Sequence, residues 1–257
     1  MRSLFWLSTL TLIVGTLGCG GGGGSDACDS LKIAGGDSCS GQSNVAYIKT
    51  YVPRLQNSFS CTGAYISLTS VLTAAHCFTG GASDVLVVSK GNARQGVRVF
   101  IHPLYDGSVG SAFDMAVVTV DQPLAGAGPV PVLLSRTPEE GEEVVAYGYG
   151  LDEAGQGALG RVESGEAPLK ATYTVFDKFA NGTSLIISTG IGSTCSGDSG
   201  GPVLARSDSG AYGIFGITRA GPQGCGAEAG RPSALSSTQT NGALEFLNQV
   251  VPDMAVN

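Results

Sequence analysis

Between residues 33 and 240 the apolar residues fall into short runs rich in valine and isoleucine, at 45–51, 85–88, 97–101, 115–120, 144–149, 184–188 and 213–218. Gly, Asp, Ser, Asn and Pro separate them, as at Gly80-Gly81, Asp106-Gly107 and Asn181-Gly182. Brief β-branched runs alternating with turn residues predict an all-β body, an antiparallel sandwich or a pair of barrels. The 40 glycines fit many tight turns and at least one linker. Only the tail differs. Asn241 can cap a helix, and Leu244, Leu247, Val250 and Val251 share one face at helical spacing. Periodicity therefore gives an all-β chain with a C-terminal α-helix, and no function.

Composition removes several classes. Apolar residues make up 42% of the 257, so the chain lacks the signature of disorder and is long enough to bury a real core. A net charge of −7 without a basic run argues against nucleic-acid binding and disfavours capture by anionic surfaces. No internal repeat is found, and beyond the N-terminus no apolar stretch approaches about 18 residues.

The first 25 residues read as an address. Met1-Arg2-Ser3 is a short basic start, residues 4–14 are mainly apolar, and Gly15-Thr16-Leu17-Gly18 supplies small residues. That is the layout of a secretory signal, too short to span a membrane. Cys19 and a run of glycines follow, and the arrangement resembles a bacterial lipoprotein signal, with Thr16 where that family usually has Leu. The resemblance implies a signal peptide over 1–18, a lipid on Cys19 and a membrane-anchored place in the bacterial cell envelope. The alternative is an ordinary cleaved signal and a secreted chain. In either case residues 19–32 form a Gly-rich linker and short propeptide ahead of a domain at 33–257. Setting Cys19 aside leaves six of the seven cysteines, which an exported chain can oxidise in several pairings.

Three segments carry chemistry: Leu72-Thr73-Ala74-Ala75-His76-Cys77, Phe113-Asp114-Met115-Ala116-Val117-Val118, and Cys195-Ser196-Gly197-Asp198-Ser199-Gly200-Gly201-Pro202. Each alone has a bland reading: a structural histidine, a turn aspartate, a glycine loop. Together they hold the nucleophile, the near-neutral base and the orienting carboxylate that acyl transfer needs. Of the two histidines, His102 lies in Ile101-His102-Pro103-Leu104-Tyr105, a segment that reads as structural. The glycines around Ser199 let the N–H groups of Gly197 and Ser199 aim at one point. Two such donors stabilise a developing oxyanion, and losing one costs about 3–4 kcal/mol of barrier.

In the order His–Asp–Ser, these segments resemble the chymotrypsin/trypsin family of serine endopeptidases. Cys61-Thr62-Gly63-Ala64-Tyr65-Ile66 ahead of the histidine, His102-Pro103-Leu104-Tyr105 ahead of the aspartate, and Gly148-Tyr149-Gly150 in place of Gly-Trp-Gly extend the likeness. It implies two six-stranded antiparallel β-barrels with the catalytic groups in the cleft between them. It also implies Ser199 as nucleophile, His76 as general base and then acid, Asp114 as its orienting carboxylate, and an oxyanion hole from the Gly197 and Ser199 N–H groups. It suggests disulfides Cys61–Cys77 and Cys195–Cys225. The family's other common cysteines are absent, with Val144 and Ile186 among the replacements. By elimination Cys28 pairs with Cys39, a bond that would keep an activated domain attached to its anchor; other pairings of these two remain open.

Lys32-Ile33-Ala34-Gly35-Gly36 looks like the family's activation site. Cleavage after Lys32 by an activating protease would free the Ile33 amine to pair with Asp198; the alternative is a linker end in a chain active uncut. By spacing, Ser193 is the floor of the primary pocket, beside Thr194 and the substrate-pairing segment Arg219-Ala220-Gly221, where the family usually has Ser-Trp-Gly. A neutral floor argues against a trypsin-like preference and for an apolar P1 residue. Arg219 or Arg231 turned into the pocket would instead favour acidic P1 residues, and the plain reading has both facing solvent. The expected partners are protein or peptide substrates; no cofactor or metal is called for. The competing class is a non-catalytic binding protein on the same fold.

Overall fold

The valine- and isoleucine-rich runs become strands because their side chains pack on both faces of a curved, closed sheet. The computed structural model describes residues 44–123, 128–151, 169–179, 181–188, 193–222 and 232–257. Its first barrel consists of β1 (Val45–Val52), β2 (Asn57–Tyr65), β3 (Ser70–Thr73), β4 (Ser83–Ser89), β5 (Asn92–Ile101) and β6 (Ala116–Val120). Its second consists of β7 (Glu143–Gly148), β8 (Leu169–Lys178), β9 (Thr183–Ser188), β10 (Pro202–Arg206), β11 (Tyr212–Ala220) and β12 (Pro232–Ser237). The helix α1 (Asn241–Val250) follows. Both barrels close, in the orders β1-β2-β3-β6-β5-β4 and β10-β11-β12-β9-β8-β7, with every named pair antiparallel. Closure leaves no sheet edge. The expected pair of six-stranded antiparallel barrels with a C-terminal helix is what the chain forms.

The strands that read as unbroken apolar runs face two cores at once. On β1, Ala46 and Ile48 fill the first barrel while Val45 and Tyr47 point out of it. On β7, Val144 and Ala146 fill the second barrel while Val145 and Tyr147 point out. The outward set meets between the barrels, together with Ala243, Phe246 and Leu247 of α1. Side chains alternate along a strand, so only two-sided burial makes every position apolar. The N-cap lies one residue before the expected Asn241. Thr240 is the N-cap, and its Oγ1 accepts from Ala243 N at 3.2 Å. Its buried face is Ala243, Phe246 and Leu247, continued by Val251, while Leu244 stands half-buried at the side.

Candidate active site

Pairing of β3 with β6 brings the first two candidates together. Thr73 lies opposite Ala116 in that antiparallel ladder, so His76, just after β3, and Asp114, just before β6, emerge at the same end. His76 rides on a one-turn helix, Ala75–Phe78, anchored to β2 by the Cys61–Cys77 disulfide. Asp114 is wholly buried, with its backbone N–H given to Ser111 O at 3.2 Å. Its carboxylate holds His76 at two points. Oδ1 accepts from the His76 backbone N at 2.8 Å, and Oδ2 lies 2.6 Å from Nδ1. A carboxylate can only accept, so Nδ1 carries the proton and Nε2 is left as the basic nitrogen, turned away from Asp114. The Sγ atoms of Cys61 and Cys77 and a His76 ring nitrogen fall within 4.8 Å of one another, but the sulfurs are joined and offer no thiolate to a metal.

The Ser199 loop comes from the second barrel. Asp198 N donates to Cys195 O at 3.0 Å, and Gly201 N to Asp198 O at 2.9 Å. The buried Asp198 carboxylate accepts from Gly150 N at 2.8 Å and from Cys195 N at 2.7 Å. Burial, helped by the Asp198 charge, pushes the Tyr173 phenol far above its ordinary pKa. Leu151 N donates to Ser196 O at 2.9 Å. Across a trans peptide the N–H points opposite to the C=O, so the Gly197 N–H is turned away from Leu151. Gly197 has φ +98°, and a Cβ there would stand 3.0 Å from Gly150 Cα. Gly200, at φ +82°, lies so close to Thr73 and Ala74 that a Cβ would come within 2.7 Å of Ala74 N. That contact sets Ser199 beside the segment leading into His76, and Thr62 N reinforces it by donating to Ser199 O at 2.8 Å.

Of the five expected pocket residues, Ser193 and Thr194 directly precede Cys195, and Gly221 lies against Thr194. Ser193 is buried, and among the described residues its Oγ has no hydrogen-bond partner. Thr194 shares a 2.8 Å hydroxyl–hydroxyl bond with Ser233. Gly221 lies against it, since a Cβ on Gly221 would fall within 2.4 Å of Thr194 O. Half-buried Ala220 pairs with Ala234. Arg219 departs from the solvent-facing expectation. It is 8% exposed, and its Nη1 donates to Ser111 O at 3.0 Å and to Thr183 Oγ1 at 3.2 Å. Burial pulls its pKa below the ordinary guanidinium value, and the Asp114 charge opposes that shift. The β11–β12 ladder shifts register between Thr218 and Ala220, so Arg219 sits at a bulge where the regular alternation of side chains is interrupted.

The sequence model of the family described as Trypsin matches residues 33–239, most of the chain. The chain belongs to the trypsin family. A trypsin from Saccharopolyspora erythraea is 26% identical over 222 residues, 79% of this chain and 92% of that relative. Human serine protease 56 is 34% identical over 201 residues, 68% of this chain but 32% of the relative. Brachyurin from Leptuca pugilator is 28% identical, over 71% of this chain and 84% of the relative. This trypsin-family chain is thus a serine endopeptidase, a hydrolase acting on proteins or peptides.

One participant has no local signature. Thr62 Oγ1 donates to Gly197 O at 2.7 Å and accepts from Tyr149 N at 2.9 Å, a bridge from the buried Thr62 of β2 to the Ser199 loop and to the segment after β7. Cys195 is disulfide-bonded. Cys225, Arg231, Lys32, Ile33, Cys19, Cys28 and Cys39 lie outside the described residues. His102 is buried and stacked on Phe113 at 4.7 Å, which agrees with its structural reading.

Proposed function

We propose that the chain is an exported endopeptidase that cleaves through an acyl-enzyme on Ser199, with His76 and Asp114 completing the triad. The observation that carries this reading is the two-point grip of Asp114 on His76, at 2.8 and 2.6 Å, beside the Ser199 loop. Nε2 of His76 takes the Ser199 Oγ proton as Oγ bonds to the scissile carbonyl carbon. The resulting oxyanion lies toward the Gly197 and Ser199 N–H groups. His76 then gives the proton to the departing amine, the C–N bond breaks, and water repeats the sequence in reverse to free Ser199. Asp114 stays ionised and offsets the transient imidazolium.

A neutral Ser193 offers no countercharge to Lys or Arg, which favours an apolar P1 residue. The Arg219 guanidinium, bound to Ser111 and Thr183, favours that over an acidic one. Cleavage after Lys32 would free the Ile33 amine for the buried Asp198. Such an ion pair adds little stability but makes a switch. Residues 1–18 direct export and Cys19 carries a lipid, with Cys28 paired to Cys39 so that the cut domain stays tethered.

Intact mass after organophosphate treatment, with and without cleavage at Lys32, tests the reading beside a Ser199→Ala control. An adduct confined to the cut chain with Ser199 supports it in full. An adduct on the uncut chain removes the activation switch, and none on a chain proven cut removes the triad. Reducing agent should release the activated domain from membranes; retention would sink the Cys28–Cys39 tether.

A further inference from the structure

Arg219 is a cation where cations are rarely found, 8% exposed on β11. An unpaired buried charge is costly, and a buried guanidinium persists only with acceptors and a compensating anion. Its two acceptors come from different barrels. Thr183 Oγ1 belongs to β9 in the second, and Ser111 O belongs to the first barrel's loop that delivers Asp114. The Ser111 carbonyl also accepts the Asp114 backbone N–H at 3.2 Å. One oxygen therefore takes both the guanidinium and the amide of the residue that grips His76. The charge whose field bears on Arg219 is the buried Asp114 carboxylate. Among the described residues Nε has no partner, so hydrogen bonding alone does not account for the burial.

The geometry points to Arg219 as a positioning residue for Asp114. It clamps the 111–114 turn to the second barrel and places a fixed cation behind the carboxylate that orients His76. It touches no reacting atom and acts through Asp114. This rests on the triad reading above, yet the clamp itself is a statement about Asp114 and His76 that can be read without turnover. Two other roles for the same side chain predict different results. A subsite for acidic substrate residues would alter KM for extended peptides. A brace serving stability alone would leave the His76–Asp114 bond intact.

The test compares the full chain with its R219Q, R219K and D114N variants. Proton NMR reads the far-downfield Nδ1–H of His76, identified by its disappearance in D114N. The clamp predicts that R219Q weakens or abolishes this resonance while the fold persists, and that R219K keeps most of it. A wild-type resonance in R219Q overturns the proposal, whether or not the chain hydrolyses anything. In the kinetic arm, on chain cut after Lys32 and a short ester substrate, R219Q should lower kcat by about 10- to 100-fold with little change in KM. R219K should recover most of that loss. R219Q added to D114N should cost nothing further, because residues acting as one unit are non-additive. Losses that multiply, or a change confined to KM, overturn the positioning role. Wild-type chain that neither reacts nor turns over defeats the catalytic reading instead, and the resonance still decides the clamp. Should R219Q not fold, T183V keeps the cation and removes one anchor. A weakened resonance with about a threefold or larger drop in kcat supports the clamp, and wild-type values overturn it.

Discussion

Thr62 shows how much of the candidate site rests on a group that no motif announces. Its hydroxyl donates to Gly197 O and accepts from Tyr149 N, so the loop carrying the candidate oxyanion donors is held from the first barrel. In Thr62→Val the shape is kept and the hydroxyl lost, so Gly197 O and Tyr149 N each lose this hydrogen bond. Each such loss costs about 1–3 kcal/mol, enough to let the loop relax. The expected result is a kcat lowered about tenfold or more with KM little changed, and near-complete recovery in Thr62→Ser. Steady-state kinetics on a peptide substrate checks this, and a Thr62→Val enzyme with normal kcat would show the bridge to be idle. His76, Asp114 and Ser199 were legible because each stands in a short segment whose neighbours serve the same chemistry. Thr62 was not, because its partners lie 135 and 87 residues away in sequence. Arg219 was misread for the same reason: its acceptor at Ser111 is 108 residues distant, and without it an arginine defaults to solvent.

Strands with both faces buried announced themselves, whereas strands closed by geometry did not. β12 reads Pro-Ser-Ala-Leu-Ser-Ser, with little to mark it as core. Ser233 and Ser236 are nevertheless fully buried, because β12 closes the second barrel between β9 and β11. The first half of β5, Asn92-Ala93-Arg94-Gln95, is a strand because β4 pairs with it, residue for residue. α1 was visible from its apolar period, but what seats it was not. His102 Nε2 donates to Gly242 O at 3.1 Å, and its Nδ1 accepts from Leu104 N at 3.1 Å. Phe113 and Phe246 cover the ring. This arrangement uses the neutral imidazole, and burial holds the His102 pKa below its usual value despite the bond to Gly242. The sign follows by linkage. Below about pH 6.5 the unfolded chain binds a proton that native His102 refuses, so the stability is present above that pH and is lost as pH falls toward the native value. The Tm of the native chain should therefore fall more steeply between pH 7.5 and 5.5 than that of His102→Phe. Parallel slopes would mean that this ring does not link α1 to pH.

The two barrels share one core, and that decides how the molecule responds to damage. Val45 and Tyr47 of the first barrel, Val145 and Tyr147 of the second, and Phe246 and Leu247 of α1 belong to a single buried cluster. Backbone bonds stitch the same seam. Val130 N donates to Tyr65 O at 2.7 Å, Leu133 N to Ile214 O at 2.9 Å, and Ala255 N to Ile66 O at 2.8 Å. The connecting segment is thus bonded to both barrels, and the C-terminal tail reaches the second through Asn257 Nδ2, which donates to Tyr212 O at 3.2 Å. The candidate reacting groups are divided across this seam, with His76 and Asp114 on one side and Ser199 on the other, so alignment of the candidate triad depends on it. Leu247→Ala removes side-chain volume from the middle of the cluster without touching a site residue. A buried Leu→Ala costs about 2–5 kcal/mol. For a chain of this size that lowers Tm by about 5–15 °C. Because the cavity opens in the common core, the loss should reach both barrels equally. Native-state hydrogen exchange of slow amides in β2 and in β11 should accelerate by the same factor, while kcat well below the melting range stays near its original value. Faster exchange confined to β11 would mean that the barrels unfold as separate units and that their interface transmits no stability. A fall in kcat at unchanged temperature would mean instead that packing under α1 sets the alignment of His76 with Ser199 directly.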